Sequence, residues 1–237
     1  MAGLGTFINA LAIALGTGIG WLLGHRLPTS ITQTVLSGMG LLVLVIGIQM
    51  ALTATTATQA VIVLMSLVGG AVIGELLAIE ARLEWVGQQL EAQITRYGGS
   101  SPITKAFVTA SLLYVVGPLA ILGSLQDGIQ RDPSLLITKA ALDGIAAVAF
   151  TSSLGIGVLF SIIPVVLYQG TITLLSQQIA GILSEAVIEA LTATGGILVM
   201  GIGVNLLEIK QIRLGNLLPA LGLAVLLVGI LPIWDLG

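Results

Sequence analysis

The chain has 237 residues, of which 56% are apolar and 8% charged, against about 25% charged in an ordinary soluble domain. With a mean hydropathy of +1.11, a water-facing surface is excluded, and the solvent around this material is lipid. A net charge of −3 gives no basis for nucleic-acid binding, and the lack of cysteine excludes disulfides and thiolate chemistry.

Apolar stretches long enough to cross a bilayer, about 20 residues each, are predicted at eight places: 4–23, 34–52, 58–77, 104–125, 135–153, 155–175, 191–207 and 217–233. The fold class expected is all-α, a polytopic bundle of eight transmembrane helices forming one integral membrane domain. The first residues carry no basic n-region, so 4–23 reads as a retained span. Within it Gly16, Gly20 and Gly24 recur every four residues and form a helix-packing face. His25 and Arg26 follow in a short loop.

Residues 78–101 are the one long polar connection. Leu76, Ile79, Leu83, Val86 and Leu90 alternate spacings of three and four, which predicts an amphipathic helix over 78–97, stopped by the run Gly98 to Pro102. Pro118, Pro164 and Pro219 are predicted to interrupt their spans. The fifth span carries Lys139 and Asp143, and so reads either as a crossing helix or as a broken, re-entrant one.

Arg26, Arg82, Arg96, Lys105, Lys210 and Arg213 fall on one side of such a bundle, and Arg131 and Lys139 on the other. The excess of basic residues marks the cytoplasmic side and leaves both termini outside. The segment Gly40 to Gln49 matches Gly196 to Asn205 without a gap, and Gly3 to Asn9 resembles Gly155 to Ser161. Spans one to three therefore look like spans six to eight. The expected organisation is a first repeat at 1–77, the amphipathic helix and linker at 78–101, two central spans at 102–154 and a second repeat at 155–237. An odd number of steps separates the repeats, so they would be inverted, a construction many secondary transporters share.

Ionisable groups inside spans are costly and face a bundle interior or a cavity. Asp143 sits one turn from Lys139, where the two can pair or where Asp143 can bind a cation or relay a proton. Glu75 follows the close-packing glycines Gly70 and Gly74 near the cytoplasmic end of its span. Asn9, Gln49, Gln169 and Asn205 are buried-amide candidates for a polar lining, two of them at matching repeat positions. No triad, no catalytic metal spacing and no nucleotide fingerprint is legible, so neither an enzyme nor a bound cofactor is expected, and any transport would draw on gradients rather than ATP.

Several stretches together resemble a known prokaryotic family: Gly69 to Glu75, Val116-Gly117-Pro118 through Asp127-Gly128, Lys139 to Asp143, Leu154 to Val158, Tyr168-Gln169-Gly170, and Asn216 to Ala220. In order and over essentially the whole chain they are similar to the multi-pass membrane proteins called domain of unknown function 554, the YqgA- and YdfK-like family. That resemblance implies a bacterial inner-membrane protein with no assigned activity, and it marks Asp127, Lys139, Asp143 and Gln169 as motif members. The expectation is then a gradient-driven transporter or channel for a small ion or solute. Its site would be Asp143, Lys139, Glu75, Asp127, Gln169, Asn205, Gln49 and Asn9. Its partners would be the bilayer, the solute and, through glycine faces, a further copy of the chain. The rival expectation is a membrane scaffold or regulator acting through the helix at 78–97.

Overall fold

The computed structural model describes residues 2–24, 28–95, 103–181 and 183–230. His25, Arg26, Arg96, the predicted stop at 98–102 and the last residues of the eighth predicted span lie outside the described residues. Among the described residues every regular element is helical. These are α1 (Leu4–Gly24), α2 (Thr29–Ala51), α3 (Ala57–Leu77), α4 (Ile79–Thr95), α5 (Ile103–Val115), α6 (Pro118–Ile129), α7 (Ser134–Leu154), α8 (Ile162–Leu174), α9 (Ser176–Ile179), α10 (Glu185–Leu206) and α11 (Pro219–Ile230). Tight 3₁₀ turns over Ile156–Ser161 and Leu214–Leu217 lead into α8 and α11. Six of these segments are long and apolar enough to cross a membrane. Large apolar side chains such as Phe7, Leu15, Leu42 and Leu64 stay exposed while Asn9 and Gln169 are fully buried, the distribution expected when lipid is the solvent.

The chain divides into two compact units. The first comprises Met1–Gly38, Leu83–Val115 and Leu119–Gln177. Its spine is the contact between α1 and α7. Gly5 meets Leu136, Gly16 meets Gly144 and Ala147, Gly20 meets Val148 and Thr151, and Gly24 meets Ser152. The numbers rise together, so the two helices run in the same direction. A methyl group at Gly16 or Gly20 would be driven into the carbonyl oxygen of Gly144 or Val148, and glycine is what lets these backbones close.

Two expectations change places here. The fourth predicted span is not one helix: α5 and α6 meet at a bend of 60°, at Pro118, a residue with no N–H to donate to a continuing helix. The fifth, where a break was one of two readings, is an uninterrupted 21-residue helix. Its lysine is neutralised by a carboxylate one turn on, so the backbone has no reason to break. The bent pair, a broken span or a re-entrant loop by its geometry, lies along one neighbouring helix. Ile103 at its start lies against Gly157, and Gly128 near its end lies against Thr173 and Ser176. These contacts match the two ends of Ile156–Leu174, a 19-residue candidate span. Pro118 interrupts its span as expected, and all three prolines stand at helix starts. Pro118 and Pro219 open α6 and α11, and Pro164 is third in α8, all within the first turn, where a missing N–H costs no helical hydrogen bond.

The second unit comprises Met39–Arg82, Val116–Pro118 and Gln178–Gly237. Its apolar core gathers Ile62, Val63, Val187, Ala190, Ala193, Ala224 and Val228. Thr56 and Gln59 form a reciprocal capping box at the start of α3, and Ala78, in the left-handed region at φ 49°, ends it. α3 and α11 run oppositely, with Gly70 on Ala220 and Gly74 on Asn216. So do the second half of α2 and α10. Gly40 packs on Gly203 and Leu207, Gly47 on Gly196 and Met200, Gly196 on Ala51, and Gly203 on Leu44.

Candidate functional site

In the first unit α1, α7 and α8 bring together four of the predicted residues. Asn9 of α1 and Gln169 of α8 are fully buried, and Lys139 and Asp143 of α7 are 6% and 8% exposed. The Lys139 ammonium donates to Oδ2 of Asp143, an i,i+4 pair on one helical face. The same oxygen accepts from Nδ2 of Asn9 at 3.0 Å, and that amide also donates to Oε1 of Gln169 at 3.4 Å. Burying two charges is tolerable only when they are paired and hydrogen-bonded, and this cluster meets that condition for Asp143. It does not satisfy everything around it. Asn9 Oδ1 and Gln169 Nε2 are buried with no hydrogen-bond partner, as is the hydroxyl of Tyr114. The arrangement can hold one positive charge beside a carboxylate, with spare donors and acceptors facing it.

Tyr114 is the member that the sequence did not announce. Its ring centre is 5.8 Å from the Lys139 nitrogen, within cation–π range, and 6.4 Å from the ring centre of Phe150. The signal available was an aromatic hydroxyl four residues before Pro118 in an apolar helix.

Asp127 does a different job in the same unit. Its Oδ2 accepts the backbone N–H groups of Gly3 at 3.1 Å and Gly5 at 3.0 Å. A carboxylate brought from α6 thus caps the start of α1, where free N–H groups and the helix dipole favour negative charge. Its Oδ1 is buried and unpartnered.

Three predicted residues lie in the second unit and do not meet one another. Glu75, half exposed two residues before the end of α3, pairs with Arg213 at 2.9 Å. Asn205 clamps the loop after α10, donating to the Ile212 carbonyl at 2.9 Å and accepting its N–H at 2.8 Å. Gln49 is exposed near the end of α2. Asn216, unremarked in the sequence as a polar group, accepts the N–H of Glu80 at 2.7 Å and so fastens the start of α4 to the turn before α11. On α4, Gly87 packs against Thr104, whose N–H and hydroxyl donate to Glu91, while Trp85 and Val86 remain exposed. Among the described residues no three histidine or acidic side chains converge as metal ligands.

A family model described as "Protein of unknown function (DUF554)" matches residues 4–229. The chain is 33% identical over 226 residues to the "Uncharacterized protein YqgA" of Escherichia coli (strain K12), covering 94% of each chain. It is 27% identical over 219 residues to the "Uncharacterized membrane protein YdfK" of Bacillus subtilis (strain 168), covering 92% of each. No solved structure gives a significant match.

Proposed function

The chain belongs to the DUF554 family, and on that premise we propose that it is a gradient-driven transporter or channel for a small ion or solute, without ATP hydrolysis or other catalysis of its own. The observation that carries this reading is the buried Asn9–Asp143–Lys139–Gln169 cluster, a carboxylate and an ammonium inside an apolar bundle with amide groups left over. Such groups are expensive in a membrane and are kept where a charge is bound or passed on.

Helix directions favour eight crossings. α1 and α7 run the same way, so an odd number of crossings separates them; α2 and α3 supply two, and the bent α5–α6 pair is the third. α2 against α10 and α3 against α11 run oppositely, which agrees with that count if the shorter apolar segment Leu214–Ile230 is the eighth crossing. Inverted repeats draw support from the α2–α10 contact. In the register that matches Gly40 with Gly196 and Gly47 with Gly203, most of the glycine contacts have a mate. Gly40 on Gly203 mirrors Gly47 on Gly196, and Gly47 on Met200 mirrors Gly203 on Leu44. This self-complementarity is the mark of a two-fold relation. By the basic-residue count, the Lys105 end of the bundle faces the cytoplasm of a bacterial inner membrane and both termini face out.

The test is flux into proteoliposomes under an imposed gradient of proton, sodium or potassium. Asp143→Asn is expected to cut the rate by about tenfold or more, a loss of at least about 1.4 kcal/mol at the barrier. Unaltered flux would remove Asp143 from the mechanism. A second reading, a scaffold or regulator, is favoured by the exposed Trp85 and Val86 on α4. It predicts that alanine at Leu83, Val86 and Leu90 abolishes capture of a cytoplasmic partner; unchanged capture counts against it.

A further inference from the structure

Of the unpartnered buried polar atoms in the first unit, which include Ser111, Tyr114 and Ser153 on other helices, three follow one face of α1. Thr6, Asn9, Ile13 and Thr17 succeed one another at steps of three, four and four, and are 5%, 0%, 0% and 1% exposed. Thr6 Oγ1, Asn9 Oδ1 and Thr17 Oγ1 have no hydrogen-bond partner.

Other helices place further orphans at the same levels. At the start of α1, Asp127 is fixed by Gly3 and Gly5, and its neighbour Gly128 meets Thr173. Asp127 Oδ1 and Thr173 Oγ1 are both unpartnered there. One level on, Gln169 Nε2 lies beside the charged pair. Beyond Ile13, Gly20 meets Thr151, whose hydroxyl is unpartnered as well. Buried polar atoms left without partners are costly, and groups that converge at two to four per site are what buried water occupies.

We infer that the first unit holds a hydrated polar track in two segments, from Asp127 to Asp143 and from Thr17 to Thr151. Ile13 is the apolar plug between them, and the species passed is the proton. This rests on the transport reading above and names its substrate. A proton needs no bore, only water and side chains that exchange hydrogen bonds, and such chains of groups are how membrane proteins relay it. An apolar ring at one level stops conduction by expelling water. Ile13 is the one apolar member of the Thr6–Thr17 face, and it stands between the two sets of orphans.

The chain has no native cysteine, so the test is direct. Single variants Thr6→Cys, Ile13→Cys and Thr17→Cys are reconstituted and exposed to silver ion, a thiol reagent small enough to follow water, from one side at a time. Thr6→Cys is expected to react only from the side of the α1 N-terminus, Thr17→Cys only from the other, and Ile13→Cys from neither. Protection of either Thr variant from both sides, or reaction of both from one side, overturns the two-segment track. In parallel, vesicles loaded with a pH-sensitive dye report proton flux. Ile13→Ser is expected to raise it by about tenfold or more, a barrier lowered by about 1.4 kcal/mol, while Gly18→Ser, at a position with nothing within 4 Å of an added Cβ, stays at the wild-type rate. An unchanged rate in Ile13→Ser overturns the proton assignment. The two readings fail differently. Wild-type flux of sodium, potassium or a neutral solute without protons removes this inference and leaves the transporter. The predicted labelling with no flux of any species removes transport and leaves the track.

Discussion

Alanine in place of Gly16, Gly18 and Gly20, one at a time, separates packing from backbone entropy on a single helix. Each substitution should gain about 0.5–1 kcal/mol because alanine loses less freedom on forming a helix. At Gly18 nothing lies within 4 Å of the added methyl, so that gain is the whole effect. At Gly20 the methyl would meet Thr151 Cβ at 2.9 Å and the Val148 carbonyl closer still; at Gly16 it would meet Ala147 Cβ at 3.0 Å and the Gly144 carbonyl. Carbon atoms rest at about 3.5–4.0 Å, so α1 and α7 must part by roughly 1 Å. Overpacking of this kind costs about 1–3 kcal/mol. Gly16→Ala and Gly20→Ala should therefore lose net stability of up to about 2 kcal/mol while Gly18→Ala gains a little. Thermal unfolding of the purified protein in one detergent, followed by tryptophan fluorescence, gives the order. Equal shifts at Gly18 and Gly20 would refute the close α1–α7 contact, and with it the alignment of Asn9 with Asp143.

Lys139→Met alone leaves a buried carboxylate without its counter-charge and should destabilise by about 3–5 kcal/mol, whereas Lys139→Met with Asp143→Leu recovers most of that loss; denaturation midpoints of the three proteins decide. Asp127→Ala removes the cap from α1 and should cost about 0.5–2 kcal/mol, with hydrogen exchange at Gly3 and Gly5 rising before that of the helix interior. Breaking the exposed Glu75–Arg213 pair with Glu75→Gln should change the unfolding midpoint by less than about 1 kcal/mol. Outside the membrane, the side-chain hydroxyl of Ser134, with its backbone N–H and the Gln126 amide, holds the Asp132 carboxyl below its ordinary value. The turn before α7 is therefore supported above the ordinary carboxylate range and loosens as pH falls through the lowered value. Carboxyl NMR should find Asp132 titrating low, and Ser134→Ala should move it back up.

What the sequence discloses is what lipid dictates. Apolar length marks α1, α3 and α7 to within a residue at each end and α10 with its start six residues late, because no other structure satisfies the backbone there. The glycines at four-residue spacing in α1 point to a contact, and α7 provides it. Composition is a poor guide where two effects compete. Lys139 reads as a threat to its helix until Asp143 is placed on the same face. Pro118, Pro164 and Pro219 read alike as interruptions, although Pro118 stands at a bend and Pro164 and Pro219 sit in the first turns of their helices. The cluster itself is only half legible. Lys139 and Asp143 announce each other at i,i+4, but nothing local says that Asn9 must meet Gln169, 160 residues away. Gln49 and Asn205 show the opposite case. They match as letters in a repeat, yet one is exposed and the other ties down a loop.

The α2–α10 crossing bears on ancestry. A contact that is unchanged when its two partners trade places is one that two copies of a single helix can make with each other. A chain half this long, inserted in both orientations, would already possess it. Once the halves are fused that constraint lapses, and each can drift separately. On the inverted-repeat reading proposed above, Gly40, Gly47, Gly196 and Gly203 are where the shared contact is kept, and Gln49 and Asn205 are where the halves part.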